Sequence, residues 1–358
     1  MDVYLNHGGE RSVRKLASVQ RIWKTEPIQG ADRIELAHVL GWQCVVNKGQ
    51  FREMEPAVYF EVDSFLPVRP EFEFLRASSY RKTDILGEGF RLKTMRFRGE
   101  ISQGLLLPVR LFPDIPADAE IGRDVTEILG VRKWEIEERI TTGGTIIGTL
   151  PQDIPHTDET RVQAEPELIR DFAGLEYYIS TKMDGSSHSA GIDGNGFHAT
   201  GHNYEYRDDG KSPFYELVKA MDLQQKMEAF AARNGLSLFT IQGELCAQGI
   251  QNNRLKLTKP HWYIFTIREN GRRVGLSRML QICRELQLES VPIEETGFDL
   301  PAKYPSVEAL LDRADGTYPG GGKKEGIVIR PLEPVWCRRI SSPLSMKVVS
   351  NKYLLKKE

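Results

Sequence analysis

Short apolar runs punctuated by turn residues dominate the first third of the chain. Residues 16–22, 34–40, 42–46, 57–60, 90–97 and 104–108 are each rich in β-branched, aromatic or aliphatic side chains, and Gly, Pro, Asn and Asp separate them. Such spacing, without a long helical period, predicts five or six strands curled into a small barrel or sandwich. The second half mixes periods. Phe214, Leu217, Val218, Met221 and Phe230 recur at helical spacing ahead of Gly235, which predicts one helix over 214–234. Shorter helices are expected at 278–286 and 307–311, and strands at 238–245, 262–267, 326–329 and 346–349. Between them, 114–155 turns acidic, then densely charged, then Gly-Thr rich, and is expected to connect two domains. The organisation is therefore α+β: an N-terminal β-barrel over 1–113, a connection over 114–155 and a mixed domain over 156–358.

Bulk composition narrows the classes. A chain of 358 residues exceeds the roughly 250–300 that one core supports, which favours two domains. With 40% apolar and 27% charged residues it reads as a soluble protein. No stretch approaches the roughly 20 apolar residues of a membrane span, and the first ten residues are polar rather than signal-like, so no membrane partner is expected. Cys44, Cys246, Cys283 and Cys337 are scattered without a C-x-x-C pair, as expected of reduced thiols in a cytoplasmic protein. A net charge of -2 argues against unspecific coating of nucleic acid. Locally, however, Arg76, Arg81, Lys82, Arg91, Lys93, Arg96 and Arg98 are interleaved with Tyr80, Phe90 and Phe97. That pattern suits a groove that tracks a nucleic-acid backbone and stacks its bases, or equally a solvated strand face with a loop.

The candidate chemistry begins at Lys182-Met183-Asp184-Gly185, after the aromatic stretch 175–179. A lysine is a nucleophile only once its proton is lost, which needs desolvation or nearby cations. Four residues alone are weak evidence, but further pieces follow in order. Glu244 sits alone on the apolar run 241–245, Tyr263 and Phe265 lie on an aromatic run, Glu325 opens the apolar run 326–329, and Lys347 and Lys352 lie near the end. Singly, each acid reads as a strand-end surface group and Phe265 as core. Together, a lysine nucleophile, three acids for a divalent ion, an aromatic for a base and distal lysines for phosphates are what nucleotidyl transfer from a nucleoside triphosphate requires.

On these residues the chain resembles the covalent nucleotidyltransferases, the polynucleotide ligases and mRNA capping enzymes. Over nearly its full length it is most similar to ATP-dependent RNA ligases with an N-terminal OB domain and no C-terminal domain, through 30–46, 57–67, 89–108, 157–163, 243–257 and 346–356. The resemblance implies an OB-fold followed by an adenylation domain of antiparallel sheets flanked by helices. It implies an RNA ligase that joins 3′-hydroxyl and 5′-phosphate ends through a lysyl-AMP, serving RNA repair. ATP and Mg2+ or Mn2+ would be its cofactors, and RNA or a nicked RNA/DNA duplex its partner, with the protein a monomer. By the same resemblance Lys182 carries the AMP next to Gly185, and Asp184, Glu244 and Glu325 organise the metal. Phe265 stacks on adenine with Tyr263 as substitute, and Lys347 and Arg161 contact phosphate. Three positions depart from the family pattern. Gly201-His202-Asn203 stands where Ser-Arg-Asn is frequent, leaving the cation to His202 or Arg207; Val349 replaces a second lysine, so that charge is missing or supplied by Lys352; and Thr181 precedes the nucleophile where Glu is frequent. A GTP-using capping-type enzyme and a non-catalytic RNA-end-binding protein are the alternative readings.

Overall fold

The computed structural model describes residues 14–116, 118–134 and 144–355. It divides into two compact units, one built mainly from residues up to Ile136, the other from 137–162 and Glu167–Leu354.

In the first unit a five-stranded sheet runs Leu105–Pro108, Pro56–Phe60, Ala17–Pro27, Ile34–Val39, Trp42–Asn47. The long strand Ala17–Pro27 has a bulge between Ile22 and Lys24, and so pairs Pro56–Phe60 along its first half and Ile34–Val39 along its second. A bulge bends a strand, and here it curls the sheet until Trp42–Asn47 meets Glu100–Gln103, with Val45 N donating to Ser102 Oγ at 3.0 Å. The result is the expected OB-type barrel. Two details differ from expectation. Residues 90–97 are not one strand: Gly87–Arg91 lies inside one sheet, between Ser64–Pro67 and Tyr80–Thr83, and Thr94–Phe97 begins a separate hairpin with Glu100–Gln103. Part of the expected connection also packs on the barrel, since Val125, Leu129 and Val131 are buried with Val19, Val58 and Phe60.

The second unit has two antiparallel sheets. The larger, of eight strands, is ordered Ile146–Thr149, Tyr204–Tyr206, Gly196–Thr200, Ser186–Asp193, Phe239–Cys246, His261–Glu269 and Arg272–Arg273, with Glu289–Ser290 added in parallel to His261–Glu269. The smaller is ordered Ile293–Phe298, Glu176–Lys182, Gly326–Pro331, Met346–Val349. Helices Pro213–Ala220, Leu223–Asn234 and Leu276–Leu286 bury Phe214, Met227, Phe230 and Ile282 against Phe239, Ile241 and Ile264 of the large sheet. Leu168, Leu300 and Leu310, from three short helices, cover Tyr177, Ile179, Ile327 and Val348 of the small one. The helix expected over 214–234 is two helices. Asp222 takes a left-handed conformation (φ 50°) between them, which an i+3/i+4 pattern of apolar residues does not reveal.

Candidate active site

Strand alternation aims the central lysine. On Glu176–Lys182, Tyr177 and Ile179 point into the helix-covered core of the small sheet, so Tyr178, Ser180 and Lys182 point the other way. Arg330, paired with Tyr178 and so on that second face, reaches Phe265 O and Thr266 Oγ1 of the large sheet. Lys182 therefore projects between the two sheets. On Phe239–Cys246 the odd positions Phe239, Ile241 and Leu245 face the helices, which turns Glu244 toward the same space. Glu325 arrives from the neighbouring strand: Lys182 pairs with Gly326, and Lys182 Nζ lies 2.8 Å from Glu325 Oε2. A buried tyrosine fixes the pair. Tyr318 donates its hydroxyl to Lys182 O at 2.6 Å and accepts from Glu325 N at 3.1 Å.

The charges around Lys182 oppose nucleophilicity. Burial disfavours the lysine's charge, but the carboxylates of Glu325, Glu244 and Asp184 outweigh it and hold the ammonium well above its ordinary pKa. Glu244 shows the complementary strain. Burial, with Glu325 and Asp184 nearby, pushes it up to about 7 despite the pull of Lys182. A cluster with this surplus of negative charge and only carboxylate oxygens as donors fits a hard divalent ion such as Mg2+ or Mn2+.

Asp184, only two residues from the lysine, is committed elsewhere. It is 4% exposed; Oδ1 accepts from Tyr353 Oη at 2.7 Å, and Oδ2 lies 3.0 Å from Arg254 Nε. The Arg254 guanidinium in turn stacks over the Tyr353 ring at 4.7 Å. Gly185 completes the turn. A Cβ there would meet Leu245 O at 2.4 Å and Glu244 Cγ at 3.0 Å, so only glycine lets the backbone approach, and its N–H donates to Glu244 Oε1 at 3.1 Å. The tetrapeptide thus aims its lysine, anchors its aspartate and orients a glutamate on another strand.

The remaining expected residues divide. Lys347 pairs with Val328, which pairs with Ser180, so Lys347 shares the face of Lys182 one row back. Arg161 bridges to Lys347 through the backbone, with Val162 N donating to Lys347 O at 3.0 Å. Val349, where a second lysine is frequent, stands in the row of Lys182 across Gly326 and is buried. Lys352 is exposed and pairs with Asp315 at 2.8 Å. Phe265 sits at a bulge where Gln242 pairs Thr266 and Gly243 pairs Ile264, which keeps it half-buried beside Tyr263 and Met183. Tyr263 itself is buried and stacked on His261. Arg207 is exposed at the end of its strand, whereas His202 lies 3.4 Å from Asp158. Thr181 has a local reason: its hydroxyl donates to Glu294 at 2.7 Å, so a glutamate at 181 would put two carboxylates together.

Sequence reasoning missed Tyr318, Arg254, Tyr353 and Arg330. Arg330 is buried, bonds Ser345 Oγ and Thr266 Oγ1, each at 3.1 Å, and pairs with Glu159. It joins the segment before Arg161 to both sheets. A charge at the end of an apolar strand was the available signal.

Comparison with known proteins agrees with this architecture. A family model described as an OB-fold domain matches residues 16–109, and one described as RNA ligase matches 175–349. No curated protein sequence matches the chain. Among solved structures, the Naegleria gruberi RNA ligase with PPi is 30% identical with a TM-score of 0.85, covering 96% of this chain and 98% of that one. A mutant of that ligase with ATP and Mn is 30% identical at a TM-score of 0.85, over 95% and 98% of the two chains. Another, with AMP and Mn, is 29% identical at 0.84, over 96% and 100%. Likeness of this extent, in fold and in sequence together, makes the chain a member of the RNA ligase family, with an OB-fold domain ahead of its ligase domain.

Proposed function

We propose that the chain is an ATP-dependent RNA ligase that seals a 3′-hydroxyl to a 5′-phosphate by way of AMP carried on Lys182. The observation that carries this reading is the Lys182–Glu325 pair at 2.8 Å, turned toward Glu244, in a chain similar over nearly its whole length to a ligase solved with ATP and Mn.

In the first step Lys182 Nζ attacks the α-phosphorus of ATP. A P–N bond forms, the bond to the β-phosphate oxygen breaks, and pyrophosphate leaves. The amine must first lose its proton, for which Glu325 Oε2 is the hydrogen-bonded acceptor. Glu244 and Glu325 would hold a divalent ion, whose positive charge would offset these carboxylates and the triphosphate. Asp184 serves this step by fixing the turn from its buried pairing with Arg254 and Tyr353. In the second step a 5′-phosphate oxygen attacks the AMP phosphorus and the P–N bond breaks, returning the amine. In the third, the 3′-hydroxyl attacks the activated 5′-phosphate and AMP departs. Phe265, half-buried beside the site, offers a ring to adenine, whereas Tyr263 is already stacked. Lys347 and Arg161 are the cations for phosphate.

Incubation with α-labelled ATP and Mg2+, followed by denaturing electrophoresis, tests the covalent step. Wild type becomes labelled and Lys182→Ala falls to background; equal labelling of the variant makes another group the nucleophile. Labelling by GTP in place of ATP would indicate capping-type chemistry.

The RNA surface we assign to the hairpin tip of the OB domain, where Arg96, Phe97 and Arg98 are exposed together. Elsewhere in the basic stretch, Arg76 pairs with Glu73 and Lys82 with Glu88, and Arg91 stacks on Trp134. Arg96→Ala with Arg98→Ala should weaken RNA binding whatever the sequence, and lower the slope of log K against log salt by about 1 for each phosphate no longer neutralised. An unchanged slope moves the interface elsewhere.

A further inference from the structure

Where the family pattern leads one to expect an arginine, the chain has His202, and two further potential metal ligands, His156 and Asp158, stand beside it. His202 lies in the turn between strands Gly196–Thr200 and Tyr204–Tyr206, closed by Gly201 N donating to Tyr204 O at 2.9 Å. Facing it are His156 and Asp158, from the segment that leads to Arg161. Thr157, between those two, turns away and places its Oγ 2.6 Å from Ser187 Oγ, so its neighbours are held facing His202 by a bond to the large sheet. One potential ligand atom from each of His156, Asp158 and His202 lies within 4.8 Å of the others.

We propose that His156, Asp158 and His202 bind a divalent transition ion of the zinc class. His202 Nε2 and Asp158 Oδ2 are 3.4 Å apart, close to the ~3.3 Å edge of a tetrahedron whose metal–ligand bonds are about 2.0–2.1 Å. The other separations in the group are within 4.8 Å, so side-chain rotation must draw those ligands together around an ion. Two imidazoles and one carboxylate suit zinc and its neighbours; magnesium and calcium prefer oxygen alone. The site thus differs in kind from the cluster around Lys182, where the donors are all carboxylates. His156 and His202 are half-buried and Asp158 is exposed, which leaves at least one coordination position open to solvent or to an anion.

The location gives that open position a use. Ser187, which holds Thr157, pairs directly across the sheet with Glu244. The three ligands therefore lie one hydrogen bond from the strand position opposite a catalytic acid. Resting on the ligase reading, the anion is a phosphate oxygen of the nucleotide or of the RNA end, which makes the ion a substitute for the arginine's charge. The alternative is an ordinary ion pair of protonated His202 with Asp158, the His156 ring packed edge-on at 5.6 Å.

Full-length protein stripped of metal and returned to excess Mg2+ separates these outcomes. Zinc is then added, and X-ray absorption at the zinc edge reads the ligand shell of the wild type directly. The expected result is one equivalent of Zn2+ that Mg2+ does not displace, with two imidazoles in a nitrogen and oxygen shell. His202→Ala and Asp158→Asn should weaken it by more than the about 10–100-fold loss typical of disturbing an outer-sphere partner. Lys182→Ala should keep it intact, although that variant forms no AMP adduct. Absence of a Mg2+-resistant equivalent, a sulfur or all-oxygen shell in the wild type, or full binding by the doubly substituted His156→Ala, His202→Ala protein would overturn the site. With Co2+ in place of zinc, pyrophosphate should change the visible spectrum; binding with an unperturbed spectrum removes the anion role and leaves the metal. A wild type that binds zinc yet takes no label from ATP would instead refute the ligase reading.

Discussion

Lys182 and Asp184 stand two residues apart, each beside a group of opposite charge, yet the two pairs do opposite things. The lysine meets Glu325 in a partly exposed space that also holds Glu244, and the surrounding acids keep its proton on. The aspartate is closed off, paired with Arg254 and hydrogen-bonded to Tyr353, with its neighbours stacked on each other. One pair is poised to be disturbed by an incoming cation and triphosphate. The other is saturated and holds the turn in place. On the proposed reading Lys182 is a nucleophile that must be aimed to within a fraction of an ångström, which such a rigid partner serves, and the short motif supplies both roles at once.

This contrast can be broken from either side. The largest expected effect is on the saturated pair. Arg254→Ala leaves Asp184 buried without its cation and should cost about 3–5 kcal/mol, read as a fall in the urea midpoint. A loss below about 1 kcal/mol would mean that Tyr353 alone suffices. On the poised side Glu325→Gln should fold normally but adenylylate about 10²–10³-fold more slowly, measured by single-turnover labelling. Near-normal labelling would leave Glu325 a spectator. The smallest effect concerns Glu244. Because its pKa is raised to about 7, protons compete with the divalent ion there, so the apparent Mg2+ requirement for labelling should rise as the pH falls through about 7. The sign for stability follows as well. A carboxyl raised in the folded state is costly when ionised, so the penalty is full above about 7 and absent below the ordinary value near 4.3. Glu244→Gln should accordingly match or exceed wild type in melting temperature at pH 8, with the difference vanishing at pH 4. A variant markedly less stable at pH 8 would show that attraction to Lys182 dominates.

The poised side was largely legible in the sequence. Lys182, Glu244, Glu325 and Lys347 each read singly as a strand-end charge, and it is their order along the chain that makes them candidates together. The saturated side was not. Tyr353 lies 169 residues from Asp184, and Tyr318 lies 136 from Lys182, and nothing local marks either as a partner. The division of the helix over 214–234 was hidden for a related reason, since its apolar spacing continues through a residue whose backbone turns left-handed. Residues 90–97 read as one strand because apolar content does not record a change of sheet.

By itself, the sequence determined which chemistry is available: residue types in a fixed order, strand periodicity that buries one face and exposes the other, and a glycine wherever two backbones must touch. These are properties of single positions and their near neighbours. Only the tertiary structure decided how the charges were shared out. It turned Asp184 away to Arg254, gave Lys182 to Glu325, set Val349 in the row where a lysine is frequent, and brought His156 and Asp158 to His202. The reason is physical. A charge's pKa and its partner depend on distance and burial in three dimensions, and strands far apart in the chain set both.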